Sequence, residues 1–264
     1  MTLLVEPMTT YGQRRDRARD LGARFDFAQQ ALGLYIALVD AQERAFERAR
    51  ADRPGREDLA AYVVRVALPG VMEAAVAAGT ETLREATLLR FHEADLEGLI
   101  EAWLDGDETS GTDVFLARAS TQPILEALPD LAAELRQADA NDRCCPRCGG
   151  LPQLAVFGEN GEALLTSPRK LVCSRCANEW VMSRMTCAAC GETSGAKMPI
   201  LSDVDLFPHL RIDACEICRR YLLTVDLRKD PHAVPIVDEL AALPLDLVAA
   251  ERGYTKIARN LMGF

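Results

Sequence analysis

Eight of the nine cysteines in this 264-residue chain stand in four Cys-x-x-Cys pairs: Cys145/Cys148, Cys173/Cys176, Cys187/Cys190 and Cys215/Cys218. Moving the first two pairs along by 42 residues lands on the last two, so the cysteines form an internal repeat. Two residues between cysteines let both thiolates reach one ion from a single tight turn. Two such turns supply the four sulfurs of a tetrahedral site. The chemistry implied is thiolate ligation of two metal ions. The period favours a first site of Cys145, Cys148, Cys173 and Cys176 and a second of Cys187, Cys190, Cys215 and Cys218, because each copy of a duplicated module must have closed its own site. The competing arrangement interleaves the pairs, first with third and second with fourth, as in cross-brace folds.

Such turns need short strands to hold them. Cys145-Pro-Arg-Cys148-Gly149-Gly150 opens the first module, and Gly149 permits the tight turn that aims backbone N–H groups at sulfur. Leu154–Phe157 and Ala163–Thr166 flank Asn160-Gly161, a strong hairpin signal. Leu171-Val172 leads into the second cysteine pair, and Trp180–Arg184 reads as a third strand. The gap inside each site exceeds the usual zinc-ribbon spacing, which predicts an extended hairpin. The second module is looser: Gly191 aligns with Gly149, Ile200, Leu201 and Val204 stay apolar, and Tyr221–Leu227 is a clear strand.

The first 143 residues have a different character. Apolar residues recur at helical spacing over Phe25–Arg50, Asp58–Ala67, Val71–Ala78, Thr80–Trp103, Asp113–Ala119 and Ile124–Ala138, with breaks at Pro54-Gly55, Pro69-Gly70 and Pro123. Strand signals are nearly absent, so this half reads as an all-α domain of five or six helices. From Pro235 the chain is expected to turn helical again, with Val237, Leu240 and Ala241 on one face and Leu245–Glu251 followed by Tyr254, Ile257, Ala258, Leu261 and Met262 on another. The predicted architecture is α+β: a helical domain over 1–143, rubredoxin-like or zinc-ribbon modules over 144–186 and 187–234, and a helical segment over 235–264 that packs the ribbons onto the first domain.

Charge argues against nucleic acid. Residues 1–143 hold 16 basic and 26 acidic side chains, against 11 and 10 in residues 144–234. An acidic domain repels phosphate backbones. The start, MTLLVEPMTTYGQRRDRARD, lacks the form of a secretory signal, and no apolar stretch reaches membrane-spanning length. A cytoplasmic location is expected, where paired cysteines serve as metal ligands or redox thiols rather than disulfides. His92 beside Glu93 reads as a surface or capping residue, and Glu93, Asp95, Glu97 and Glu101 as a solvated helix face. His209 and His232 read as ordinary polar residues and Cys144 as a small buried one. No phosphate loop, nucleophile elbow or dinucleotide fingerprint occurs, so no catalytic residue is assigned.

The order of these features, a helical half, then Cys145-Pro-x-Cys-Gly-Gly-x-Pro152, Leu171-Val-Cys-x-x-Cys-x-x-x-Trp180, Cys187-x-x-Cys-Gly191 and Cys215-x-x-Cys218, resembles the formate dehydrogenase accessory protein FdhE family. The resemblance implies a non-enzymatic, cytoplasmic factor for assembly and maturation of respiratory formate dehydrogenase. Such a factor binds the catalytic subunit before export, with rubredoxin-type iron at the eight paired cysteines and zinc as a substitute. Residue chemistry alone leaves two other readings open: a rubredoxin-like electron carrier, and a nucleic-acid-binding zinc-ribbon protein.

Overall fold

In the computed structural model, which describes residues 9–93, 95–106, 111–136, 140–158 and 168–263, the first half is helical throughout. Its helices are α1 (Tyr11–Arg24), α2 (Gln29–Asp52), α3 (Leu59–Val66), α4 (Leu68–Ala78), α5 (Glu81–Glu93), α6 (Leu96–Asp105), α7 (Gly111–Ala127) and α8 (Pro129–Glu134). Among the described residues eight helices stand where five or six are expected, and the differences have identifiable causes. α1 is hidden in the charged stretch after Thr10, which caps it in a capping box with Gln13. Its buried face includes the charged Arg14, whose Nη1 donates to Glu126 Oε2 of α7 at 3.1 Å. Pro69 sits in the first turn of α4, where its missing N–H costs nothing, so the break before α4 is confined to Ala67. Gly70 lets α4 close on α2; a Cβ there would lie 3.1 Å from that of Ala41. The stretch expected as one helix over Thr80–Trp103 is two, because Asp95 caps α6 by accepting from Gly98 N at 3.0 Å.

α7 runs straight through Pro123, where a break was expected. Proline removes the hydrogen bond that would reach the carbonyl four residues back. That carbonyl, Ala119 O, accepts instead from Gln42 Nε2 of α2 at 3.0 Å. The site is buried, so this bond prevents an unpaired backbone acceptor in the core.

The described residues of the second half build a sheet of seven strands: β1 (Pro152–Phe157), β2 (Arg169–Cys173), β3 (Glu179–Met182), β4 (Ile200–Leu201), β5 (Leu210–Ala214), β6 (Arg220–Asp226) and β7 (Thr255–Lys256). The order is β3-β2-β1-β6-β5-β4, with β7 also on β6. Each module contributes antiparallel strands, β1-β2-β3 and β4-β5-β6. The two join where β1 pairs with β6 in parallel, Leu154 against Leu223 and Val156 against Val225. The modules are therefore successive repeats along one sheet, set side by side in the same sense. The antiparallel partner of β1 is β2, starting at Arg169; the Asn160-Gly161 turn and the Ala163–Thr166 strand lie outside the described residues.

Alternation along these strands assigns the two faces. Leu154, Val156, Val172, Ile212, Leu223 and Val225 join one hydrophobic core with the helices. Ala155, Leu171, Leu222, Ala188 and Ile257 form a second cluster on the opposite face.

The tail begins with α9 (Pro235–Ala241), which packs on α1, α2, β1 and β6 and so joins the two halves. Asp238 of α9 is the anchor: it takes Arg17 Nε of α1 at 2.9 Å, His209 Nε2 at 2.7 Å and Val234 N at 2.8 Å. α10 (Leu243–Glu251) follows and ends at Gly253, whose φ of 76° turns the chain away. The expected helical face over Tyr254–Met262 is absent. Thr255-Lys256 instead pairs as β7 with Arg220-Tyr221 at the start of β6, beyond the stretch that β1 covers, and the Lys256 side chain pairs with Glu239 at 2.8 Å and Asp246 at 3.2 Å. No single helix among the described residues is long and apolar enough to cross a membrane.

Two four-cysteine metal sites

The four Cys-x-x-Cys turns share one backbone design. In each, the N–H of the first cysteine donates to the carbonyl five residues on: Cys145 to Gly150 (2.8 Å), Cys173 to Asn178 (2.9 Å), Cys187 to Glu192 (2.8 Å) and Cys215 to Arg220 (2.9 Å). The N–H of the fourth residue on returns a bond to the first cysteine's carbonyl, from Gly149, Ala177, Gly191 and Arg219 at 2.9–3.2 Å. That fourth residue is left-handed every time, with φ of 75°, 54°, 83° and 56°. Two turns use glycine, which takes this conformation freely; Ala177 and Arg219 take it at a cost of about 1–2 kcal/mol each. Gly149 and Gly191 were legible in the sequence. Ala177 and Arg219 carried no signal beyond their place after a cysteine pair.

These turns bring the sulfurs together module by module. In the first site Cys145 and Cys176 Sγ are 3.8 Å apart and Cys148 and Cys173 Sγ 3.4 Å. In the second, Cys187–Cys218 and Cys190–Cys215 are both 3.7 Å. Within each set every sulfur lies within 4.8 Å of the others. A tetrahedron of sulfurs about 2.3 Å from a central ion has edges of about 3.8 Å. Both sets fit that figure, and the pairing is sequential, not interleaved. Backbone N–H groups of Arg175 and Ala189 point at Cys173 and Cys187 Sγ at 3.3 and 3.4 Å, the bonds that stabilise ligating thiolates. Burial pushes the Cys173 thiol well above its ordinary pKa and raises that of Cys187. Full ionisation of either set therefore calls for a cation at its centre. With four thiolates bound, the ion has no open position for water or substrate, so such a site supports structure or one-electron exchange.

The sites differ in setting. All four cysteines of the first are at most 1% exposed, and a Cβ at Gly150 would meet Cys173 Sγ at 2.9 Å. Arg175, inside the second turn, stacks on Trp103 at 4.9 Å and donates to its carbonyl at 3.0 Å, docking this site on α6. In the second site Cys190 is exposed and Cys218 partly so.

The remaining candidates stay outside both sets. Cys144 lies apart, its Sγ 3.7 Å from Asn141 Oδ1. His92 is exposed on α5, and His232 is exposed in the loop before α9. His209 is buried against Asp238; with Asp230 these form a third cluster of possible ligands, but Arg17 already pairs both carboxylates and occupies the cationic role. Asp95 is a helix cap rather than part of a carboxylate site.

Residues 185–262, the second module and tail, match the FdhE C-terminal domain. The chain is similar to FdhE proteins over this domain and beyond it. An FdhE homolog from Aquifex aeolicus is 29% identical over 190 residues, covering 70% of this chain and 65% of that protein. One from Pseudomonas aeruginosa is 32% identical over 206 residues, covering 74% and 62%. The matched stretch thus spans just under two thirds of these relatives' lengths. In fold, the crystal structure of the FdhE protein from Pseudomonas aeruginosa superposes with a TM-score of 0.73 over 98% of both chains, at 24% identity. The likeness to FdhE proteins and the two four-cysteine sites are thus reached by separate lines, one from relatives and one from sulfur geometry.

Proposed function

We propose that this protein is a cytoplasmic assembly factor for respiratory formate dehydrogenase, acting by binding the catalytic subunit and not by catalysis. The observation that carries this reading is the match to the FdhE C-terminal domain, in a chain whose recognisable chemistry is spent on two four-cysteine metal sites. The contact surface in this proposal is the junction of helices and ribbons. A cavity of about 720 Å³ lies there, walled by Leu34, Leu83, Trp103, Phe115, Ser174 and Leu261 from the helices, the second cysteine turn and the tail. Apolar pockets between packed elements are common recognition points. Iron is the proposed native metal, held as in rubredoxin, with zinc replacing it in metal-rich expression hosts; ligation by four sulfurs suits both.

Deleting the gene and assaying formate oxidation tests the role, together with capture of clients on the tagged protein. Lost activity and recovery of the catalytic subunit are expected. Normal activity with no captured subunit overturns the proposal. The partly exposed second site also suits a rubredoxin-like electron carrier. That reading requires reversible reduction of the iron-loaded protein and normal formate dehydrogenase assembly in the deletion strain.

A further inference from the structure

The sheet face turned away from the helices carries a second cavity, of about 350 Å³, at the seam between the modules. Strand alternation and the parallel β1–β6 join place Phe157 and Arg169 of the first module on the same face as Arg211 and Arg220 of the second. Five arginines line this cavity, 169, 184, 211, 220 and 228, and Asp213 is the one acidic residue among the lining. The guanidinium carbons of Arg184, Arg211 and Arg228 lie 4.6, 5.1 and 5.4 Å from the centre of the Phe157 ring. Like charges gathered around one ring repel each other, and carboxylates or a bound anion among them relieve that repulsion. In a chain of net charge −10, this concentration runs against the overall balance.

The partners present do not use up the donors. Arg169 is 3% exposed; it donates to Thr186 O at 2.9 Å and lies 3.7 Å from Asp213, while its Nε has no hydrogen bond among the described residues. Arg211 pairs with Asp213 at 2.9 Å and Arg228 with Asp226 at 2.6 Å. Arg220 has no acidic partner among the described residues. The thiolate site next door, to which Cys187 contributes one wall of the cavity, offsets part of the charge. Met198, Leu222 and Ile257 give the same cavity an apolar stretch of wall.

We propose that this pocket binds a small phosphorylated molecule, its phosphate held by Arg169, Arg211 and Arg220 and its body resting on Phe157 and the apolar wall. Arginine forks match phosphate oxygens in pairs, and the volume falls in the range of small-ligand sites.

The test titrates inorganic pyrophosphate and inorganic phosphate into the metal-loaded full-length protein by calorimetry at low salt. Saturable one-to-one binding is expected, weakened roughly tenfold or more by Arg220→Glu, as for the loss of a charge-assisted contact. Arg220 is exposed, so its replacement is expected to leave two metals per chain. Should that variant lose metal, Arg211→Gln, at a half-buried position four residues before Cys215, provides the same comparison. Absence of saturable binding, or equal affinity in the wild type and a metal-replete variant, overturns the proposal.

Discussion

Leu154 in β1 lies beside Leu223 in β6, in parallel register, and both are completely buried. This pair is the seam between the two cysteine modules and part of the core shared with the helices. Leu223→Ala is therefore expected to destabilise the protein by about 2–5 kcal/mol, as for large-to-small changes in a packed core. Helical circular dichroism and tryptophan fluorescence should shift together on denaturation. Separate transitions would show that the helical and ribbon halves fold independently.

The unequal burial of the two sites predicts unequal metal release. Elemental analysis of the intact protein should return two ions per chain, as two four-thiolate sites require. A chelator should remove the ion at Cys187, Cys190, Cys215 and Cys218 first, because Cys190 is exposed while the first site is closed. Cys218→Ser should abolish the fast phase and leave one slowly released ion. Equal rates, or loss of both ions in that variant, would contradict the assignment.

Gly150→Ala should damage the first site alone. The added methyl would lie 2.9 Å from Cys173 Sγ and 3.0 Å from Arg175 Cβ, inside any tolerable contact. Metal content is expected to fall from two ions to one, with the second site's release kinetics unchanged. Retention of both ions would mean that the turn has room to shift.

Gln42 and Pro123 should couple. Gln42→Leu leaves Ala119 O unpaired in the core and is expected to cost about 1–3 kcal/mol. Adding Pro123→Ala restores a backbone N–H able to reach that carbonyl, so the second change should recover part of the loss. Denaturation midpoints of the four proteins in this cycle measure the coupling; strictly additive effects would exclude it.

The metal sites were the most legible part of the chain. Cysteine types and spacings set which four sulfurs gather, because a two-residue turn and a duplicated period act locally, whatever surrounds them. The helical half was legible as a class; the split of Thr80–Trp103 came from the local Asp95 cap, while α1 and Pro123 involve partners distant in sequence. The charged stretch around Arg14 shows no apolar helical pattern, and Glu126 of α7 neutralises that side chain in the core; Pro123 reads as a break, and Gln42 of α2 takes the freed carbonyl. The tail after Glu251 read as helix because Tyr254, Ile257 and Leu261 are apolar at helical spacing; an open edge of β6 captured it as a strand instead.

The sequence by itself determined the ligands, their grouping into two sites and the division into helical and ribbon halves. Only the tertiary structure decided that the modules share one sheet, that the first site is sealed against α6 while the second is partly exposed, and that five arginines line one cavity with Phe157. Those outcomes depend on pairing between strands tens of residues apart, and no local pattern records which edge a strand will find.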